Sequence, residues 1–318
     1  MKKIIALTLA VLMLLMMTAC GSKPADDGKF TIGICQLVTH DALDAATNGF
    51  VQAVKDGLGE ENVEFDLQNA AGDANTCASI ANAFVSAEVD LIMANATPAV
   101  QNAAAATTDI PILGTSVTEY GVALDIQDFT GTVGGNVSGT SDLAPLEEQA
   151  AMLQEWFPDA KNVSLLYCSA EANSKYQVDT IQKLLEDKGY PCQMFAFTDS
   201  NDMQAVVNGA CEFADVIYVP TDNAVASSTD IIDGICRAAG VPIIAGEEGI
   251  CAGCGVATLS ISYYDLGYTT GEMAVKILKG EADISTMEIK YAPATKKYNP
   301  EICKDLGLTA PEGYVAIG

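Results

Sequence analysis

One histidine, one tryptophan and one arginine are all that 318 residues contain of three side chains on which ligand sites often depend. His40 has no second histidine to share a metal with, and no recognisable motif sets it beside a serine or cysteine nucleophile, so metal and covalent catalysis are both disfavoured. Glycine-rich phosphate loops are missing as well. The chain therefore reads as no enzyme and as needing no cofactor. Arg237 is the sole guanidinium, so a ligand's anionic group would have to be held by backbone amides, hydroxyls or lysine. Trp156 falls on a helix expected over Pro145 to Phe157, away from the loops discussed below, and reads as packing. Basic residues are few: 16 Lys and Arg face 42 Asp and Glu, a net charge of −26, which argues against nucleic acid as a partner. Cysteine is present, ten in all. After Cys20 the number is odd and widely spread, in a body large enough to bury its own core, so no disulfide framework is required. Cys35, Cys168, Cys192, Cys211 and Cys236 lie in or beside apolar runs and read as small core hydrophobes. Cys251-Ala-Gly-Cys254 lacks a second ligand pair, and a local disulfide suits it better than a metal.

The amino terminus carries the one long apolar run. Lys2 and Lys3 precede Ile4 to Met17, followed by Met17-Thr18-Ala19-Cys20. The run is short of the roughly 18–20 residues of a spanning helix and ends in small residues, which marks residues 1–19 as a signal peptide. The tetrapeptide resembles a bacterial lipobox, with Cys20 as the acylated residue; cleavage without acylation is the alternative. Residues 20–29 have the composition of a flexible tether. A body held by lipid outside the cytoplasmic membrane is the expectation, with no later spanning segment.

From Lys29 onward, short apolar runs alternate with longer amphipathic stretches, the pattern of an α/β fold with parallel strands. Strands are expected at Phe30–Cys35, Val63–Leu67, Val89–Ala94 and Ile110–Leu113, with helices at Leu43–Leu58, Thr76–Ala87 and Pro98–Ala106. The plan then repeats about 125 to 131 residues later. Val163–Tyr167 answers the first strand and Gln177–Lys188 its helix. Asp90–Thr97 matches Asp215–Asp222, and Ile110–Thr115 matches Val241–Gly246. Two doubly wound parallel-sheet lobes follow, and because such sheets bind ligands beyond the carboxyl ends of their strands, two facing lobes make a cleft.

The loops expected to line that cleft differ in chemistry. The first lobe supplies Gln36, His40, Thr97, Thr115 and Ser116; Thr97 before Pro98 has the form of a helix cap whose free amides suit an anion. The second lobe supplies Asn173, Ser174, Asp222, Asn223, Glu247 and Glu248. Hydroxyls opposite carboxylates give the polarity of an α-amino acid, although solvated acidic loops would read the same way. Tyr120, Tyr167, Tyr176, Tyr263 and Tyr264 are the aromatics placed nearest.

Gln36-Leu-Val-Thr-His40, Ala96-Thr-Pro-Ala99, Gly134-Gly-Asn-Val-Ser-Gly-Thr-Ser-Asp142, Glu171-Ala-Asn-Ser174 and Pro220-Thr-Asp-Asn-Ala-Val-Ala226 together resemble the ABC-transporter substrate-binding lipoproteins whose members bind tryptophan or phenylalanine. The likeness covers nearly the whole chain beyond the tether. It implies the type I periplasmic-binding-protein fold, with three hinge crossovers placed near Asp142, Thr258 and Ile289. Lobe 1 is then 30–141 plus 259–288, and lobe 2 is 142–258 plus 289–318. Ser141 and Asp142, at the first crossover, join the site residues. The chain also resembles, more distantly, branched-chain amino-acid receptors, in which a glutamate of a Gly-Pro-Glu-Gly loop holds the ammonium; Gly246-Glu-Glu-Gly249 stands there, with Glu247 in place of the proline. The resemblance implies a monomer that delivers an aromatic or apolar amino acid to ABC permease subunits. A sugar or nucleoside receptor on the same fold is the alternative, against which the shortage of tryptophan and arginine weighs.

Overall fold

The computed structural model describes residues 28–317; the expected signal peptide, Cys20 and most of the tether lie outside them. The first half runs β1 (Phe30–Gln36), α1 (Asp41–Leu58), β2 (Val63–Asn69), α2 (Ala74–Ser86), β3 (Leu91–Asn95), α3 (Thr97–Ala106), β4 (Ile112–Val117), the single turn α4 (Tyr120–Ala123) and β5 (Val137–Ser141). The second half repeats the alternation. It comprises α5 (Leu146–Trp156), β6 (Val163–Cys168), α6 (Ala172–Asp187), β7 (Cys192–Phe197), α7 (Ser200–Phe213), β8 (Val216–Val219), α8 (Asn223–Ala226), α9 (Thr229–Ala239), β9 (Ile243–Ala245), α10 (Glu248–Cys254) and β10 (Ala257–Ser260). The chain ends through α11 (Tyr263–Leu278), β11 (Lys290–Tyr291), β12 (Thr295–Tyr298), α12 (Pro300–Asp305) and β13 (Val315–Ala316).

These strands form two sheets, ordered β11-β5-β4-β3-β1-β2 and β13-β12-β10-β9-β8-β6-β7. Every pairing is parallel except β12 against β10. The orders 2-1-3-4-5 and 7-6-8-9-10 are the same wiring twice, as the internal repeat requires. Leu91-Ile-Met-Ala-Asn95 and Val163-Ser-Leu-Leu-Tyr-Cys168 are buried throughout, the signature of parallel strands covered on both faces. In the first lobe, Phe50, Val54, Met273 and Ala274 fill one face and Cys77, Phe84, Ala99 and Val100 the other. The second lobe does the same with Leu165, Val178 and Trp156 against Leu166, Val207 and Ile232.

The crossovers set the lobe boundaries. β10 pairs Thr258 with both Ala245 and Lys297, so the chain stays in the second sheet through Ser260 and crosses after it, not at Thr258. α11 then packs along α1. β11 pairs Lys290 with Thr140 and Tyr291 with Ser141, so the last crossover follows Tyr291 rather than Ile289, which is buried in the first lobe's core. The short edge strand β11 had no apolar run to betray it.

Candidate ligand-binding site

The carboxyl ends of β1, β3 and β4 meet those of β6, β8 and β9 across the seam between the lobes. A cavity of about 650 Å³ there is walled by Leu37, Val38 and Pro98 from the first lobe and by Cys168, Glu171, Met203, Asn223 and Ala224 from the second. Its neighbour, of about 400 Å³, runs between Thr39-His40-Asp41 and Ala226, Ser227 and Gly249. A third, of about 360 Å³, lies on the hinge side beneath Glu247, Tyr263 and Tyr264.

On the first lobe's side, two non-glycine residues hold left-handed backbone at the strand ends: Ala96 (φ 93) after β3 and Ser116 (φ 54) in β4. Strain of this kind persists where surrounding structure enforces it and gathers at binding sites. The Ala96 amide donates to Thr115 O at 3.0 Å, tying the two strand ends together. Ser116 Oγ is buried with no hydrogen-bond partner. Ala96, not Thr97, is the cap of α3, and Thr97 is its first helical residue. Pro98 has no N–H, and the Ala99 and Val100 amides return to Ala96 O, so the expected row of free amides shrinks to Thr97. Thr115 is turned inward: its hydroxyl shares a 3.3 Å hydrogen bond with Thr140. Gln36 is spent within its own lobe, donating to Val38 O and Asp44 Oδ1 and accepting from Thr47 Oγ1. Gln36 therefore shapes the loop after β1.

His40 crosses the seam. Its Nε2 lies 3.2 Å from Asn223 Oδ1 of the other lobe, and burial lowers its pKa, so the ring is neutral and donates there.

The second lobe carries the charge. Asp222 is 1% exposed and accepts from the amides of Cys168 (2.7 Å) and Val225 (3.0 Å). Glu171, buried just before α6, accepts from Asn173 Nδ2, Asn223 N and Nδ2, and Ala224 N. Burial pushes Glu171 up to about 7, and the Asp222 charge pushes further in the same direction; burial raises Asp222 too. Asn173 and Ser174 belong to the first turn of α6 rather than to a loop, because the helix starts at Ala172. Asn173 Nδ2 spans to Thr221 O while its Oδ1 is buried without a partner.

Near the hinge, Asp142 Oδ2 accepts from Tyr263 OH at 3.0 Å, and its Oδ1 is buried without a partner; burial lifts its pKa to about 6. Ser141 Oγ donates to Thr118 O at 2.8 Å and accepts from the Leu143 amide, which fixes the crossover. Glu247 caps α10 through the amides of Gly249 and Ile250, and burial raises it to about 7. Glu248 pairs with Lys297 Nζ, 2.5 Å away, and both border the hinge-side cavity.

Of the expected site residues, His40 and Asn223 meet across the seam and border its cavities, while Asn173, Ser174 and Asp222 are buried in the second lobe and Thr97 and Ser116 at the strand ends of the first. Asp142, Glu247 and Glu248 sit at the hinge end, and Gln36, Thr115 and Ser141 serve their own lobes. Glu171 was missed as a site residue; the clue was an acid following a buried strand and opening a helix, at the very start of the quoted Glu171-Ala-Asn-Ser174. The aromatics divide likewise. Tyr120 OH donates to Thr140 O in the first core, Tyr167 packs in the second, and Tyr264, which borders the hinge-side cavity, stacks on Tyr268. Cys251 and Cys254 are unpaired thiols buried along α10, donating to Gly255 O and Ile250 O.

The family model for ABC transporter substrate binding proteins matches residues 31–316. A tyrosine-binding protein of Clostridioides difficile is 38% identical over 88% of this chain and 85% of its own length. Among solved structures, an ABC domain from Streptococcus pneumonia in complex with L-Trp superposes with a TM-score of 0.86 at 30% identity, covering 91% of this chain and 100% of that one. A ligand-free, open substrate-binding protein with adhesive properties from Clostridium difficile gives 0.69 at 39% identity, covering 91% and 99%. The fold is thereby the type I periplasmic-binding-protein fold. The L-Trp complex, at lower identity, superposes with the higher TM-score of the two.

Proposed function

The chain belongs to the ABC transporter substrate-binding proteins, and we propose that its cargo is an amino acid with an aromatic or other large apolar side chain. Proteins of this family capture a solute outside the cytoplasmic membrane and present it to the permease subunits of an importer. The observation that carries the amino-acid reading is the opposition of unlike chemistry across one seam. The buried carboxyls of Asp222 and Glu171 stand on one lobe, and the unpartnered Ser116 hydroxyl and the Thr97 end of α3 stand on the other. Leu37, Val38, Pro98 and Met203 supply an apolar wall beside them. A zwitterion satisfies both sides: its ammonium offsets the charge of two crowded carboxyls, and its carboxylate meets hydroxyl and amide donors. The tyrosine-binding relative and the L-Trp complex support the same cargo class.

Asp222 and Glu171 take the ammonium in this reading, Ser116 and Thr97 the carboxylate, and the His40–Asn223 bond latches the closed lobes. Asn173 and Ser174 orient the carboxyl pair. The body works as a monomer, tethered by lipid on Cys20. Protein unfolded, stripped of carried-over ligand and refolded should bind tyrosine, tryptophan or phenylalanine in a calorimetric titration against the twenty amino acids. No heat with any of them would remove the amino-acid claim.

A further inference from the structure

Two thiols on neighbouring helices of the second lobe have no part in the cleft. Cys211 stands near the end of α7 and Cys236 near the end of α9, helices that pack side by side, and their Sγ atoms lie 3.5 Å apart. That separation is a non-bonded contact. Closing it to a bond needs the sulfurs to approach by roughly 1.5 Å. Cys236 is buried at 2% exposure while Cys211 is partly open to solvent, so one sulfur of the pair is accessible and its partner waits behind it.

We propose that Cys211 and Cys236 are a disulfide-forming site that staples α7 to α9 when the protein meets an oxidising exterior. The inference is independent of the cargo. With a small-molecule disulfide such as oxidised glutathione as oxidant, the Cys211 thiolate attacks one sulfur and releases one glutathione thiolate, leaving a mixed disulfide. The Cys236 thiol then gives up its proton and attacks Cys211 Sγ, expelling the second glutathione. Two thiols and one glutathione disulfide become one protein disulfide and two glutathione thiols. The shared hydrogen bond lowers the pKa of Cys211 and raises that of Cys236, which makes Cys211 the attacking group.

Neither other thiol cluster offers this. Cys35 and Cys77 are both buried in the first lobe's core, and Cys251 and Cys254 are closed off along α10. α7 and α9 begin at the cleft, where Ser200 and Thr229 border the cavities, whereas Cys211 and Cys236 sit near the far ends, so the staple would join the two helices away from the cleft and without spanning the hinge.

The test uses the folded, full chain incubated with oxidised glutathione, then alkylated under denaturing conditions and mapped by peptide mass spectrometry. The expected result is a covalent link between the Cys211 and Cys236 peptides. Cys236→Ser should instead hold a stable glutathione adduct on Cys211. The linked protein should melt several degrees above the Cys211→Ser variant treated identically. Both cysteines recovered alkylated, or Cys211 left as a glutathione adduct in the unmutated chain, would overturn the site. A linked protein that melts no higher than Cys211→Ser would overturn the staple.

Discussion

Glu171 and Asp222 hold the same turn of backbone: Glu171 accepts from the amides of Asn223 and Ala224, and Asp222 accepts from Val225. Two buried carboxyls crowd one short segment, and no salt bridge among the described residues reaches either. At neutral pH this arrangement retains a proton or accepts a cation. The cargo's ammonium is that cation in the present account.

Asp222→Asn keeps the shape of the site and removes its charge. Amino-acid affinity should fall at least about tenfold, since truncating one partner of a buried, hydrogen-bonded charge pair costs about 2–5 kcal/mol. Isothermal titration reads the change, and unchanged affinity would pass the role to Glu171, for which Glu171→Gln is the matching test.

Stability of the ligand-free protein should fall as the pH rises through 6 to 7. Glu171 and Glu247 are raised to about 7 and Asp142 to about 6, all by burial first. The folded chain therefore keeps protons that the unfolded chain has already released. The stability this contributes is complete below the ordinary carboxyl range and is lost as each folded-state pKa is passed. Thermal melts between about pH 5 and about pH 8 should show a lower melting point at the alkaline end, with the trend reduced when cargo is bound. A melting point that climbs over this range would contradict the burial argument.

His40→Ala removes the hydrogen bond to Asn223 that joins the lobes. A bond of this kind contributes about 1 kcal/mol, so affinity should drop roughly fivefold, mostly through faster release. Stopped-flow dissociation measures it. An unchanged off-rate would mean the bond does not latch closure.

Gly267→Ala tests the scaffold rather than the site. α1 and α11 pack so closely that a β-carbon at Gly267 would fall on the Ala46 carbonyl oxygen, and one at Gly49 on the Tyr264 carbonyl oxygen. Backbone must move to admit it, at about 1–3 kcal/mol, visible as a lower midpoint in urea. Equal midpoints would show the helices free to shift.

The α/β wiring was legible because parallel strands buried on both faces write continuous apolar runs, as in Leu91–Asn95, and because the duplication repeats them. Boundaries were less so: α6 begins at Ala172, where Ala-Asn-Ser reads as loop, and β11 is an exposed pair of residues stabilised only by its neighbour β5. Within the candidate site, residue type was enough to nominate Asp222 and Ser116. It could not tell a side chain facing the seam from one spent on its own lobe. Glu248 and Thr115 were indistinguishable from Glu247 and Ser116 until Lys297 and Thr140 came within reach of them. Glu171 was hidden because its partners, Asn223 and Ala224, lie more than fifty residues away in sequence.

The central claim is that two lobes of unlike chemistry grip the two charged ends of one amino acid. Calorimetry with ligand-stripped protein against L-tyrosine, its amine lacking the carboxylate and its acid lacking the amine tests this most directly. Each single-ended analogue should bind at least about tenfold more weakly than the zwitterion; equal binding of the acid without the amine would contradict the role given to Asp222 and Glu171.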